Sequence, residues 1–173
     1  MNEVADVRSH PASRFNPQFN RAKLEGSLTG AGIAYVFLGR ELGARSEDPD
    51  VYVEGCVDYG RLARARSFQD GLALVSERAI ERRVALMCAE REPLVCHRAI
   101  LVSRHLAERG CGVQHILGDG GLESHDAALE RLLAELGAAA DLFRDRGEVQ
   151  AEAYRLRGEQ IAFCKDPKPK VSP

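Results

Sequence analysis

Three short apolar runs constrain this chain most. "IAYVFLG" (33–39), "VALMC" (84–88) and "GVQHIL" (112–117) are rich in aliphatic and β-branched residues and are too short for buried helices, so each predicts a strand. The opening "MNEVADVRSHP" reads as the end of a further short strand followed by a turn. Segments of helical periodicity separate the runs. One helix is predicted from about Pro17 to Leu28, with Phe19, Leu24 and Leu28 on one face. "RLARARSFQDGLALVSERAIERR" predicts a helix, or two with a break at Gly71. "PLVCHRAILVSRHLAERG" predicts another, with Leu94, Ile100, Leu101 and Leu106 at helical spacing and Gly110 just past its end. "GDGGLESHDAALERLLAELG" predicts a glycine turn and a helix starting near Ser124 or His125, and the region 141–163 is expected to be helical. This alternation implies an α/β fold: a mostly parallel sheet with helices on both faces, three layers and a single domain. The α/β unit spans 4–137, a helical extension 138–163, and a Pro- and Lys-rich flexible tail 164–173.

Ligands of such sheets collect beyond the carboxyl ends of the strands. Three of those ends carry polar chemistry: "DVRSHPASR", "LGRELGAR" and "CAEREPLVCHR". Cys88 ends an apolar run and faces a helix N-terminus, where the helix dipole and a nearby arginine favour a thiolate. A thiolate is the nucleophile of sulfur transfer and of cysteine-dependent phosphate chemistry. The backbone N–H groups of 89–98 can cradle an anion, and His97 can relay a proton. The competing reading is a buried, inert thiol, since cysteine is among the most buried residue types. Cys88, Cys96 and His97, with His115 or His10, also form a donor set for zinc or iron. Against it, no C-x-x-C pair occurs, and neighbours on a helix such as Cys96 and His97 point about 100° apart. No cofactor is evident, and a metal site is not the favoured reading.

Arg8, Arg14, Arg40, Arg45 and Arg98 all fall near predicted strand ends. Arginine gives bidentate recognition of phosphate or carboxylate, although a solvated rim of ordinary ion pairs has the same composition. Asp6 is a candidate base, or else orients Arg8. Tyr52, Tyr59, Phe15 and Phe19 either line a pocket or pack in the core. The net charge of −2 excludes a global basic field for nucleic acid and leaves room only for a local patch. No run approaches the roughly 20 apolar residues of a membrane helix. The cysteines, Cys56, Cys88, Cys96, Cys111 and Cys164, are odd in number, which predicts reduced thiols and a cytoplasmic protein.

"ADVRSHPASRFNPQFN", "GIAYVFLGRELGAR", "LMCAEREPLVCHRAILVSRHLAERG" and "VQHI" together resemble the bacterial and archaeal family called domain of unknown function 488, over about residues 4–137. By that resemblance the characteristic positions are Asp6, Arg8, Pro11, Ser13, Arg14, Phe19, Leu38, Gly39, Gly43, Cys88, Glu90, Cys96, His97, Arg98 and His115. This adds Glu90 and His115 to the substrate-binding set. Such proteins usually begin with a further strand-helix segment containing a Thr-Ile-Gly-His-Ser-like stretch, which this chain lacks. A weaker likeness, in "DVR", "VALMCAE" and "GVQHILGDGG", is to the rhodanese-like plan, with Cys88 in the active-cysteine position. The related phosphatase pattern Cys-x5-Arg is absent.

Three functions stay open. The first is a thiol-dependent transferase or hydrolase for a small anionic substrate. Cys88, His97 and Asp6 would be catalytic, and Arg8, Arg14, Arg40, Glu90, Cys96, Arg98 and His115 would bind substrate. The second is a nucleotide or nucleic-acid binding module without chemistry. The third is a metalloprotein using Cys88, Cys96, His97 and His115.

Overall fold

The computed structural model describes residues 1–138 and 145–165. A three-stranded parallel sheet organises them, in the order β2 (Ala34–Phe37), β1 (Glu3–Asp6), β5 (Val84–Met87). Asp6 is level with Phe37 on one side and Met87 on the other. The central strand is buried along its whole length and the two outer strands only partly, as expected when a sheet has just three strands.

β1 is short and carries a carboxylate at each end, both fully buried. Each has its own cationic partners. Glu3 receives Arg78 of the helix α3 (Arg66–Glu81) at 2.6 Å and Arg82, the residue just after that helix, at 2.7 Å. Asp6 receives Arg8. A buried carboxylate that lost such partners would cost about 3–5 kcal/mol, so the strand registers itself by charge as well as by packing.

α3 packs Phe68, Leu72 and Val75 into a core with Ala5, Val7, Leu42 and Val102. Burial of each large side chain there contributes about 1.5–3 kcal/mol. The helix break expected at Gly71 lies instead at Ala65, between α2 (Tyr59–Arg64) and α3. Gly71 sits inside α3, where a Cβ would fall 2.7 Å from Glu41 Cβ and 2.9 Å from Leu42. It is a close-approach glycine rather than a breaker.

Other expectations also change. The predicted helix from Pro17 is a 3-10 turn, Pro17–Phe19, followed by α1 (Arg21–Gly30). Leu24 is buried while Phe19 is exposed, because the turn breaks their shared face. The long connection after β2 holds a small hairpin, β3 (Tyr52–Val53) and β4 (Cys56–Val57).

"GVQHIL" does not join the parallel sheet. β6 (Gln114–Ile116) pairs antiparallel with β7 (Leu122–Ser124), and Gly120, at φ +89°, permits the reversal between them. Only His115 of that strand is buried, which suits a two-stranded ribbon with one wet face. Ser124 then caps α5 (His125–Glu135), accepting from the Ala127 amide at 3.1 Å.

The segment after β5 is not one helix. A 3-10 turn, Pro93–Val95, leads to an extended Cys96. A π-helical stretch, Arg98–Ser103, follows and runs into α4 (Arg104–Glu108). Gly110, at φ +86°, closes it as expected.

The cysteines are not all reduced: Cys56 and Cys164 form a disulfide. Backbone bonds from Val57 to Phe163 and from Lys165 to Gly55 hold the two segments side by side, a pairing invisible to a count of thiols. α6 (Arg146–Ile161) packs Val149, Ala153 and Tyr154 against α5 in a second core cluster. Residues 139–144 of the expected helical region, and 166–173 of the expected tail, lie outside the described residues. Among the described residues no helix is long and apolar enough to cross a membrane.

Candidate functional site

Parallel pairing of β1 with β5 brings Val7 beside Met87, whose carbonyl accepts the Val7 amide at 3.0 Å. Cys88 is therefore the first residue beyond the sheet, next to the start of the Arg8 turn. The loop that follows is pinned. Arg91 donates to the Gly118 carbonyl at 2.7 Å, and Arg131 of α5 binds Glu92 at 2.8 Å. Glu92 also accepts the Leu94 amide at 3.3 Å, starting the turn that returns the chain to Cys88.

At the end of that turn Cys96 is extended, φ −129° and ψ 134°, while His97 is helical. The helical 100° separation does not apply, and both side chains converge on Cys88. Ligand atoms of Cys88, Glu90, Cys96 and His97 all lie within 4.8 Å of one another. His97 Nε2 stands 3.2 Å from the Val7 carbonyl oxygen. A carbonyl only accepts, so Nε2 carries a hydrogen, and Nδ1 is the nitrogen that faces Cys88 Sγ, 3.6 Å away. Glu90 Oε2 is 2.7 Å from Cys88 Sγ and 3.3 Å from Cys96 Sγ. The Arg98 amide donates to Cys96 Sγ at 3.4 Å.

These contacts divide the two thiols. A hydrogen bond from Cys96 lowers the pKa of Cys88, burial opposes it, and His97 lowers it further, so that Cys88 is drawn down to about 6. Glu90 pulls the other way, favouring the protonated thiol it faces. Cys96 is raised by the Cys88 thiolate beside it and by burial, and is 1% exposed. One thiol is accessible and acidic; the other is buried and holds its proton.

Asp6 stands behind this cluster. Its carboxylate accepts Arg8 Nε at 2.8 Å, Arg8 NH2 at 2.6 Å, the Arg8 amide at 3.1 Å and the Tyr35 hydroxyl at 2.8 Å. Burial alone would raise this carboxyl, but those hydrogen bonds hold it below the ordinary value. With its oxygens so engaged, Asp6 orients Arg8. Arg8 donates also to the Phe19 carbonyl at 3.0 Å and lies near enough to Cys88 for the two charges to favour each other.

Arg14 and Arg40 are exposed, and the described residues give neither a bond to the thiol cluster. The guanidinium of Arg45 lies 4.5 Å from the Phe163 ring centre. Arg98 reaches the cluster through its amide. His115 belongs elsewhere: it bonds His125 at 3.0 Å, and His125 bonds the Tyr154 hydroxyl at 3.0 Å. Burial, and then His125, bring His115 down to about 4. His10 is exposed. The fourth donor of any metal set is thus Glu90 in place of His115. Two thiols, an imidazole and a carboxylate suit zinc or ferrous iron in donor type.

Sequence reasoning did not single out Tyr35, His125 or Tyr154, which have no motif of their own. Tyr59, a pocket or core residue by sequence, is half-buried. Burial raises its hydroxyl, and Cys96, Cys88 and Glu90 add to that, so it neighbours the thiols. It also lines a cleft of about 610 Å³ with Arg64, Arg104, His105 and Tyr154.

A family model described as Domain of unknown function DUF488 matches residues 1–105. No curated protein and no solved structure matches the chain.

Proposed function

The chain belongs to the DUF488 family, and on that premise we propose that it is a small thiol-dependent enzyme, with Cys88 as the nucleophile and His97 as its acid and base. One observation carries the reading: His97 Nδ1 faces Cys88 Sγ at 3.6 Å while Nε2 is tied to the Val7 carbonyl. A nucleophile, a base and a group orienting that base are the parts of an activated thiol. The substrate is a small molecule with an electrophilic centre and an anionic group. Arg14 and Arg40 follow β1 and β2, whose carboxyl ends share the sheet edge with Cys88, and offer cations to its phosphate or carboxylate.

The test is the pH profile of Cys88 alkylation, followed by mass spectrometry of the Cys88 peptide. The expected rate midpoint lies near pH 6, well below that of an ordinary thiol. An ordinary midpoint, or an unreactive Cys88, would remove the nucleophile.

The convergence of four donor atoms within 4.8 Å supports a second reading, a zinc or ferrous iron centre held by Cys88, Glu90, Cys96 and His97. Elemental analysis of untagged protein distinguishes the two. A stoichiometric metal that shields Cys88 from alkylation favours the centre; metal-free protein with an acidic Cys88 favours the nucleophile.

A further inference from the structure

The asymmetry between the two thiols goes beyond a single nucleophile. We propose that Cys88 and Cys96 form a redox-active dithiol pair that reduces a disulfide substrate, with Cys88 attacking and Cys96 resolving. This rests on the nucleophile reading of Cys88 and names its substrate class.

Four observations lead here. The sulfur atoms lie within 4.8 Å of each other although seven residues separate the two cysteines. The extended backbone at Cys96, set by the Pro93–Val95 turn, aims that side chain at Cys88 rather than along a helix. Cys88 is partly exposed while Cys96 is 1% exposed, so a substrate meets Cys88 first. Glu90 Oε2, 2.7 Å from one sulfur and 3.3 Å from the other, is a proton acceptor common to both.

The step balances as follows. The Cys88 thiolate attacks one sulfur of R–S–S–R, forming Cys88–S–S–R and releasing RS⁻, which takes a proton from solvent. Cys96 gives its proton to the Glu90 carboxylate, and its sulfur attacks Cys88 Sγ. The bond from Cys88 to the substrate sulfur breaks, and the second RS⁻ leaves with the proton from Glu90. The chain gives up two electrons and the Cys96 proton, solvent supplies the second proton, and the chain holds a Cys88–Cys96 disulfide while the substrate becomes two RSH. An external dithiol reductant restores the pair.

The test uses an aromatic disulfide, 5,5′-dithiobis(2-nitrobenzoate), on the full chain carrying Cys111→Ser and with the Cys56–Cys164 bond intact. Arg91 lies between the two cysteines, so trypsin separates their peptides unless a disulfide joins them. The expected result is release of two nitrothiolates per chain, no retained adduct, and a Cys88–Cys96 cross-linked peptide. Cys96→Ser, shown folded by circular dichroism, should release one and keep the mixed disulfide on Cys88. A stable Cys88 adduct in the chain that retains Cys96, with no cross-link, would overturn the dithiol pair and leave the nucleophile standing. An unreactive Cys88 would overturn both.

Discussion

His97 donates from Nε2 to the Val7 carbonyl oxygen at 3.2 Å, and this bond decides which ring nitrogen faces Cys88. Val7 is the first residue after the central strand, so the sheet itself orients the imidazole. The expected consequences extend from that contact to the rest of the fold.

Removing the imidazole should raise the Cys88 pKa. In His97→Ala the alkylation midpoint should move from about 6 back toward 9.0, the ordinary thiol value. Glu90→Gln should move it the other way, because the carboxylate disfavours a neighbouring thiolate. Opposite shifts, measured by rate against pH, are the signature; shifts of the same sign contradict these contacts.

His115 should make stability depend on pH. Its folded pKa, about 4, lies below the ordinary 6.5 because burial disfavours the cation. Between these values the unfolded chain binds the extra proton, so stability is lost as pH falls from 6.5 toward 4. The loss is on the order of 3 kcal/mol, and His125, lowered for the same first cause, adds to it. Urea unfolding at pH 7.5, 6, 5 and 4.5 checks this; a flat curve would contradict it.

Arg8→Ala should destabilise the chain by about 3–5 kcal/mol, because it strands the fully buried Asp6 carboxylate. Arg8→Lys should recover only part of the loss, since an ammonium cannot supply the paired Nε and NH2 bonds. Denaturant midpoints measure both.

Cys164→Ser should lower stability by about 2–4 kcal/mol, by releasing a cross-link between residues 108 apart in sequence. Thermal unfolding with and without reductant checks it, and the variant should be insensitive to the reductant.

Gly39→Ala should cost about 1–3 kcal/mol through overpacking. A Cβ there would lie 2.1 Å from the Arg8 carbonyl oxygen, which is backbone and cannot swing away. Cys88 reactivity should change with it, because Arg8 follows the residue that holds His97.

By itself the sequence determined the three strands that pair in parallel, the glycine that ends α4, a helix start at Ser124 or His125, and a cysteine just past β5. Apolar runs, caps and left-handed glycines act within a few residues, so they can be read in order along the chain. Tertiary structure alone decided the rest. β6 shows one buried residue in three, which defines a strand but does not name its partner, and the hairpin with β7 came from the Gly120 reversal. The convergence of Cys96 and His97 depended on a π-helical start and an extended Cys96, where periodicity had predicted a regular helix. The bond from His97 to Val7 spans 90 residues, and the Cys56–Cys164 bridge spans 108. Contacts at such separations are selected by packing and burial of the whole fold, and no local pattern records them.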